Sequence, residues 1–137
     1  MLHLIVAIDG QRIALPAAAV ESVIELDALT PVPRGPAHLL GLMALRSRVL
    51  TVIDSRAAIG LPPAPPSERR EAVVVEVEGA AYALTVDALD DVAEADGPPE
   101  PVRGTLAAAW AGVADAVVPV GGALALRINP AALIAGR

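Results

Sequence analysis

The chain has no cysteine and no phenylalanine, one tryptophan and one tyrosine, and all ten of its basic residues are arginine. Without cysteine there are no disulfides, no thiolate nucleophile and no Cys-held metal. With so few aromatics, the core must be built from Val, Leu, Ile and Ala. Trp110 and Tyr82 alone cannot line the groove that Pro-rich peptides need. A formal charge of −6 with no basic cluster is the wrong footprint for nucleic acid or an anionic membrane surface. No phosphate-cradling Gly-rich loop occurs. His3 and His38 each lack a second His or a nucleophile nearby, and read as incidental rather than as ligands or bases. The densest acidic group, Asp90-Asp91 with Glu94, has neither a metal-binding nor an acid–base spacing and reads as a solvated loop. These absences argue against an enzyme and against any cofactor or metal.

Two segments resemble membrane elements and fail as such. The N-terminal LHLIVAI run has no basic flank and is interrupted by Asp9, so no signal peptide is expected. Gly104–Leu126 is punctuated by Pro119 and Gly121-Gly122, so a buried loop-and-strand region is expected instead of a spanning helix. The protein is therefore expected to be cytoplasmic, with no direct membrane insertion.

What is present is a 55% hydrophobic chain of 137 residues, enough for one domain or two small ones sharing a core. Leu2–Ile8 alternates like a strand, and Asp9-Gly10 is a strong signal for a tight hairpin turn returning through Gln11–Leu15. Pro16–Val20 suits a helical turn, Ser22–Leu26 a short strand and Ala37–Leu40 another helical turn. Thr30-Pro31-Val32-Pro33 cannot lie inside a sheet. Pro62–Ser67 (PPAPPS) reads as a stiff linker.

Beyond the linker the pattern restarts. Ile8-Asp9-Gly10-Gln11-Arg12-Ile13-Ala14-Leu15 aligns without gaps on Val77-Glu78-Gly79-Ala80-Ala81-Tyr82-Ala83-Leu84. Val20 then matches Leu89, and Val23 matches Val92. Val49–Asp54 aligns on Leu124–Asn129, each followed by a capped helix start at Asp54 or Asn129-Pro130. Two copies of a unit of about five short strands imply an all-β fold, with units at 1–66 and 67–137. Each unit is near the lower limit for independent stability, so the two should pack on each other.

The copies differ at one hairpin. GLMALRSRVLTVID (41–54) carries Arg46-Ser47-Arg48 at its turn, where the second copy has Gly121-Gly122-Ala123. Two guanidinium groups on a turn are ordinarily just a solvated surface. Here only one copy has them, which makes a contact role worth testing. Trp110, in an Ala-rich run, fits core packing and an interface anchor equally.

These residues, taken in order, resemble the CheW family of bacterial chemosensory adaptors, essentially end to end. Val20-Glu21-Ser22-Val23 stands for the family's Val-x-Glu-[Val/Ile] segment, and Thr30-Pro31-Val32-Pro33 for its Pro-containing loop. Gly41–Asp54 stands for the Gly-[Val/Ile]-x-Asn-Leu-Arg-Gly signature ending in Asp. Thr85-Val86-Asp87 and Ile128-Asn129-Pro130 match two later elements. The resemblance implies two five-stranded SH3-like barrels packed together, with short helical turns and a short C-terminal helix. It implies a non-catalytic scaffold coupling the cytoplasmic tip of a chemoreceptor to the regulatory domain of a CheA-type histidine kinase, at arrays near the inner membrane. It points to Val20, Gly41 and Arg46 as receptor-binding, with Ser22 and Arg48 as accessory contacts. Apolar faces of the two barrels would meet the kinase domain. The departures are Ala44 for the signature Asn, Ser47 for its Gly, Thr51 for its Pro, and Ser22 for the Glu that pairs with the signature Arg. Arg46 would then be free, or paired with Glu21 or Glu25. The alternatives are a divergent relative serving a non-chemotactic two-component pathway, or a generic SH3-like interaction module.

Overall fold

Leu4, Val6 and Ile8 alternate with His3, Ile5 and Ala7, the side-chain period of a strand. Asp9 and Gly10 supply the positive φ values, 51° and 73°, that a two-residue hairpin turn requires. The computed structural model describes residues 1–63, 70–102 and 108–136, and forms this segment as β1 (Leu2–Ile8) and β2 (Gln11–Pro16). A 3₁₀ turn at Ala17–Ala19 leads to β3 (Val20–Glu25), β4 (Leu39–Leu45) and β5 (Arg48–Ile53). Helix α1 (Ser55–Ala58) starts at Asp54, whose Oδ1 accepts the N–H groups of Arg56 and Ala57 at 3.1 and 3.2 Å. The sequence then repeats itself as β6 (Glu71–Val77), β7 (Ala80–Val86), β8 (Ala88–Glu94), β9 (Ala114–Val120), β10 (Ala123–Ile128) and α2 (Pro130–Ala135). Asn129 caps α2 as Asp54 caps α1, accepting the Ala131 N–H at 3.0 Å.

The strands form two five-stranded sheets, ordered β8-β1-β2-β10-β9 and β3-β6-β7-β5-β4. Past β3 the chain curls back so that Thr30 and Leu42 exchange two 2.8 Å backbone hydrogen bonds. Past β8, Glu100 and Val117 do the same. Each sheet is thereby drawn round into a small barrel. We call β8-β1-β2-β10-β9 barrel A and β3-β6-β7-β5-β4 barrel B.

The barrels do not follow the sequence division at 66/67. Barrel A takes its first hairpin, β1–β2, from the first copy; barrel B takes the matching hairpin, β6–β7, from the second. The join is the same in both: parallel pairing of β10 with β2 (Leu126↔Ile13) and of β5 with β7 (Thr51↔Tyr82), which are equivalent residues of the repeat. Alternation alone predicts one buried face for β1, yet His3, Leu4, Ile5 and Val6 are all buried. As an inner strand, β1 puts Ile5 in the interior of barrel A and Leu4, Val6 and Ile8 in the core between the barrels. That shared core is the largest apolar cluster and draws on β1, β2, β5, β6, β7, β10 and both helices. Trp110 is in it, 3% exposed, which decides for core packing.

Other expectations need local correction. Ala37–Leu40 is not a helical turn, because β4 already begins at Leu39 to pair with Ile53. Asp90, Asp91 and Glu94 lie on an exposed strand, not a loop, because β8 pairs with β1. Within Gly104–Leu126, expected as loop and strand, Pro119 sits in β9 at the edge of its sheet, the place where a strand tolerates proline. His3 is fully buried, its Nδ1 3.1 Å from the Met1 carbonyl and its Nε2 without a partner. His38 Nε2 donates to the Ile134 carbonyl at 2.8 Å, tying α2 to the approach of β4. Most of the PPAPPS segment lies outside the described residues. No helix among the described residues is long and apolar enough to cross a membrane.

Candidate functional site

The β4–β5 turn is built from an unusual residue. Leu45 pairs with Arg48, so Arg46 and Ser47 are the two central residues of a tight turn. Arg46 has φ 57°, and Ser47 is not among the positive-φ residues. Glycine ordinarily takes a first position of that kind. In the second copy it does: Gly121, at φ 59°, is the equivalent of Arg46. A left-handed non-Gly residue costs roughly 1–2 kcal/mol, and burial does not explain it, since Arg46 is exposed. Its guanidinium forms no ion pair or hydrogen bond among the described residues.

Barrel closure brings β3 beside this turn. Glu21, Ser22, Val23 and Ile24 line one wall of an open cleft of about 360 Å³, and Leu45, Arg46, Ser47 and Arg48 line the other. Val20 pairs with Val75 and Ser22 with Val74, so Glu21 is the extra residue of a β-bulge. A bulge re-aims the side chain it carries, and the Glu21 carboxylate meets the Arg48 guanidinium across the cleft. Both side chains are about two-fifths exposed, so the pair is a surface ion pair. Barrel A has the same bulge at the equivalent Asp90, where Ile5 pairs with Asp91 and Val6 with Leu89. There the arginine's place is taken by Ala123, and Asp90 lies 3.8 Å from Arg12 instead.

Three of the five site residues expected from sequence, Ser22, Arg46 and Arg48, therefore line one cleft. Val20 and Gly41 do not. Val20 is half-buried at the start of β3 against the shared core. Gly41 is buried, at φ 155°, where a Cβ would come 2.8 Å from the Thr30 carbonyl oxygen. Its role in the fold is to let the closing loop approach. Of the outcomes expected for Arg46, the first holds among the described residues: the bulge hands Glu21 to Arg48, and Arg46 makes no ion pair or hydrogen bond there. The sequence left Arg46 free or paired with Glu21 or Glu25; what decides between them is the bulge, whose trace is the register of β3 on β6.

Two apolar pairs flank the barrels. Val23 and Val49 are exposed on barrel B, and their repeat equivalents Val92 and Leu124 on barrel A, with exposures of 39, 61, 52 and 59%. Among the described residues, no group of three His, Asp or Glu side chains could hold a metal ion.

The model of the CheW-like domain matches residues 2–137. The chain belongs to this family. It is 39% identical over 74 residues to a probable chemotaxis protein CheW of Rhizobium etli. It is 32% identical over 85 residues to a chemotaxis protein CheW of Rhizobium meliloti. These matches cover 52 and 62% of the chain, and 48 and 55% of the relatives, so the chain spans about half the length of the curated relatives it matches. Among solved structures, the scaffolding protein TtCheW of Thermoanaerobacter tengcongensis superposes with a TM-score of 0.82 at 20% identity, covering 93% of this chain and 88% of that one. At that identity the likeness establishes the fold: the two barrels expected from the repeat, in the SH3-like form that the resemblance implies.

Proposed function

We propose that this CheW-like chain is a non-catalytic chemosensory adaptor that couples a chemoreceptor tip to the regulatory domain of a CheA-type histidine kinase. The observation that carries the reading is Arg46: an exposed guanidinium, without a partner among the described residues, at a left-handed turn position that the second copy fills with glycine. Backbone strain retained without a structural return is a feature of binding sites, and arginine suits a bidentate contact with a partner's carboxylate or carbonyl oxygens. The receptor-facing surface is the cleft of Ser22, Arg46 and Arg48, with Val20 beside it and Gly41 acting through the loop it lets approach. The exposed pairs Val23–Val49 and Val92–Leu124 are the apolar faces for the kinase domain. The names of the relatives support a role in chemotaxis, and the expected place of action is the cytoplasmic receptor array.

The experiment separates folding from binding at one residue. Arg46→Gly relieves the left-handed penalty, so thermal unfolding should rise, by about 0.5–1 kcal/mol in stability. Receptor-dependent assembly should nevertheless weaken by about 2 kcal/mol, as at an interface hot spot. Calorimetric titration of the variant against a receptor tip fragment with the kinase regulatory domain reads the second effect. A more stable variant that binds like the wild type would refute the receptor-facing role of Arg46.

A further inference from the structure

The two copies also differ where the helices meet the first hairpins. In the first copy, Arg56 at the start of α1 lies across the β1–β2 turn. Its guanidinium donates to the Asp87 carboxylate at 2.6 and 3.3 Å and to Asp9 Oδ1 at 3.3 Å. The repeat aligns Asp9 with Glu78 and Arg56 with Ala131. In the second copy the arginine is therefore missing, and Ala18 stands where Asp87 would; beside Glu78 lies a hollow of about 330 Å³ lined by Val77, Glu78, Tyr82, Ala131, Ile134 and Ala135. The Glu78 carboxylate, on the turn at φ 51°, forms no ion pair or hydrogen bond among the described residues. The wall opposite the helix carries the chain's one tyrosine, where the first copy has Ile13.

We infer that this hollow is a docking seat for an arginine side chain of a partner protein. A carboxylate with no partner among the described residues, a tyrosine side chain and aliphatic groups are the three kinds of surface that recognise a guanidinium and its stem. The carboxylate pairs with the charge, the ring stacks on the planar cation, and the aliphatic groups cover the methylenes. The molecule itself supplies a precedent at one contact, the Arg56–Asp9 pair, whose positions align on Ala131 and Glu78. A chain of net charge −6 also favours a basic partner. The hollow shares no lining residue with the cleft at Arg46, so the inference stands or falls independently of the proposed receptor contact.

The test uses blocked amino acids as probes, Nα-acetyl-arginine methylamide against its lysine and norleucine counterparts, followed by amide NMR shifts of the full chain. The arginine probe should give saturable shifts confined to Val77–Tyr82 and Ala131–Ala135. Its affinity should drop about tenfold in Glu78→Gln, and it should exceed that of both other probes. A second variant places the side chain covalently: Ala131→Arg should block the probe and raise the unfolding temperature, and the rise should vanish when Glu78→Gln is added. Shifts as strong for norleucine as for arginine would make the hollow a generic apolar site, and a stronger response to lysine would make it a simple charge site. Either result overturns the inference, as does an Ala131→Arg variant whose stability ignores Glu78.

Discussion

Barrels A and B are built to one plan and filled in opposite ways. In barrel B the large interior side chains are Met43 on β4 and Leu50 on β5, facing the small Ala72 and the medium Val74 on β6. In barrel A the equivalents of Met43 and Leu50 are Val118 and Ala125, while those of Ala72 and Val74 are His3 and Ile5. Volume removed from one wall is returned by the other. The pair teaches that a small barrel constrains the summed volume across its lumen rather than the residue at each place, as close packing requires. The same relaxation applies at the surface. The β4–β5 tip and the β9–β10 tip share a fold, so one can carry Arg46 and the other Gly121 without either barrel coming apart.

The comparison breaks most severely at Leu50. Leu50→Ala should cost about 3 kcal/mol in urea unfolding, because nothing in barrel B returns the lost volume. The converse, Ala125→Leu, should cost about 1–3 kcal/mol by overpacking barrel A. Adding His3→Ala to it should recover part of that loss, since the double variant adopts the filling of barrel B. Each variant should unfold in one transition, because the largest cluster lies between the barrels. A Leu50→Ala cost under about 1 kcal/mol, or two separate transitions, would contradict the packing described.

Next comes the closing loop. Gly41→Ala should destabilise by about 2 kcal/mol, since its Cβ would meet Thr30 O at 2.8 Å and its φ is 155°. Its repeat equivalent already is alanine, so Ala116→Gly should cost only about 0.5–1 kcal/mol, the usual price of glycine in a strand. Equal effects at the two positions would mean that the loop approaches both barrels alike.

Smaller again is the Arg56 clamp. Burial pushes the Asp87 carboxyl up, but hydrogen bonds from Arg56 and the Asp9 N–H, with the guanidinium charge, outweigh it and leave the group below the usual carboxylate range. The hydrogen bond to Asp87 raises Arg56 against a lesser effect of burial. A lowered carboxyl contributes stability that is complete above its unfolded value of about 4 and is lost as pH falls through the folded one. Asp87→Asn should therefore cost about 1 kcal/mol at pH 7, and its deficit against the wild type should shrink below pH 4. A deficit constant from pH 7 to pH 3 would show that the clamp holds by shape and not by charge.

The smallest effect belongs to the cleft. Glu21 and Arg48 are both well exposed, so Arg48→Ala should change stability by less than about 1 kcal/mol, and a double-mutant cycle with Glu21→Ala should give a coupling of a few tenths. A larger coupling would mean that the pair, and not the β3 bulge, sets the shape of the cleft.

Much of this was legible beforehand because it is local. Asp9-Gly10 and Glu78-Gly79 announce their turns, Asp54 and Asn129 their helices, and the aligned copies announce two barrels of five strands. Arg46 stood out because its counterpart is glycine. Other features have no local signature. His3 reads as incidental until β8 and β2 enclose β1, and Arg46 stays open between a free guanidinium and a pair with Glu21 or Glu25 until the register of β3 on β6 turns Glu21 toward Arg48.

The sequence by itself determined the strands, their turns and caps, and that the same unit occurs twice, since each rests on residues a few positions apart. The tertiary structure alone decided which copy's hairpin completes which barrel, where the main core lies, and which of the two tip arginines is left unpaired. Those outcomes rest on strand pairing and burial between residues far apart in the chain, β10 on β2, β5 on β7 and β3 on β6, which are made only when both copies fold together.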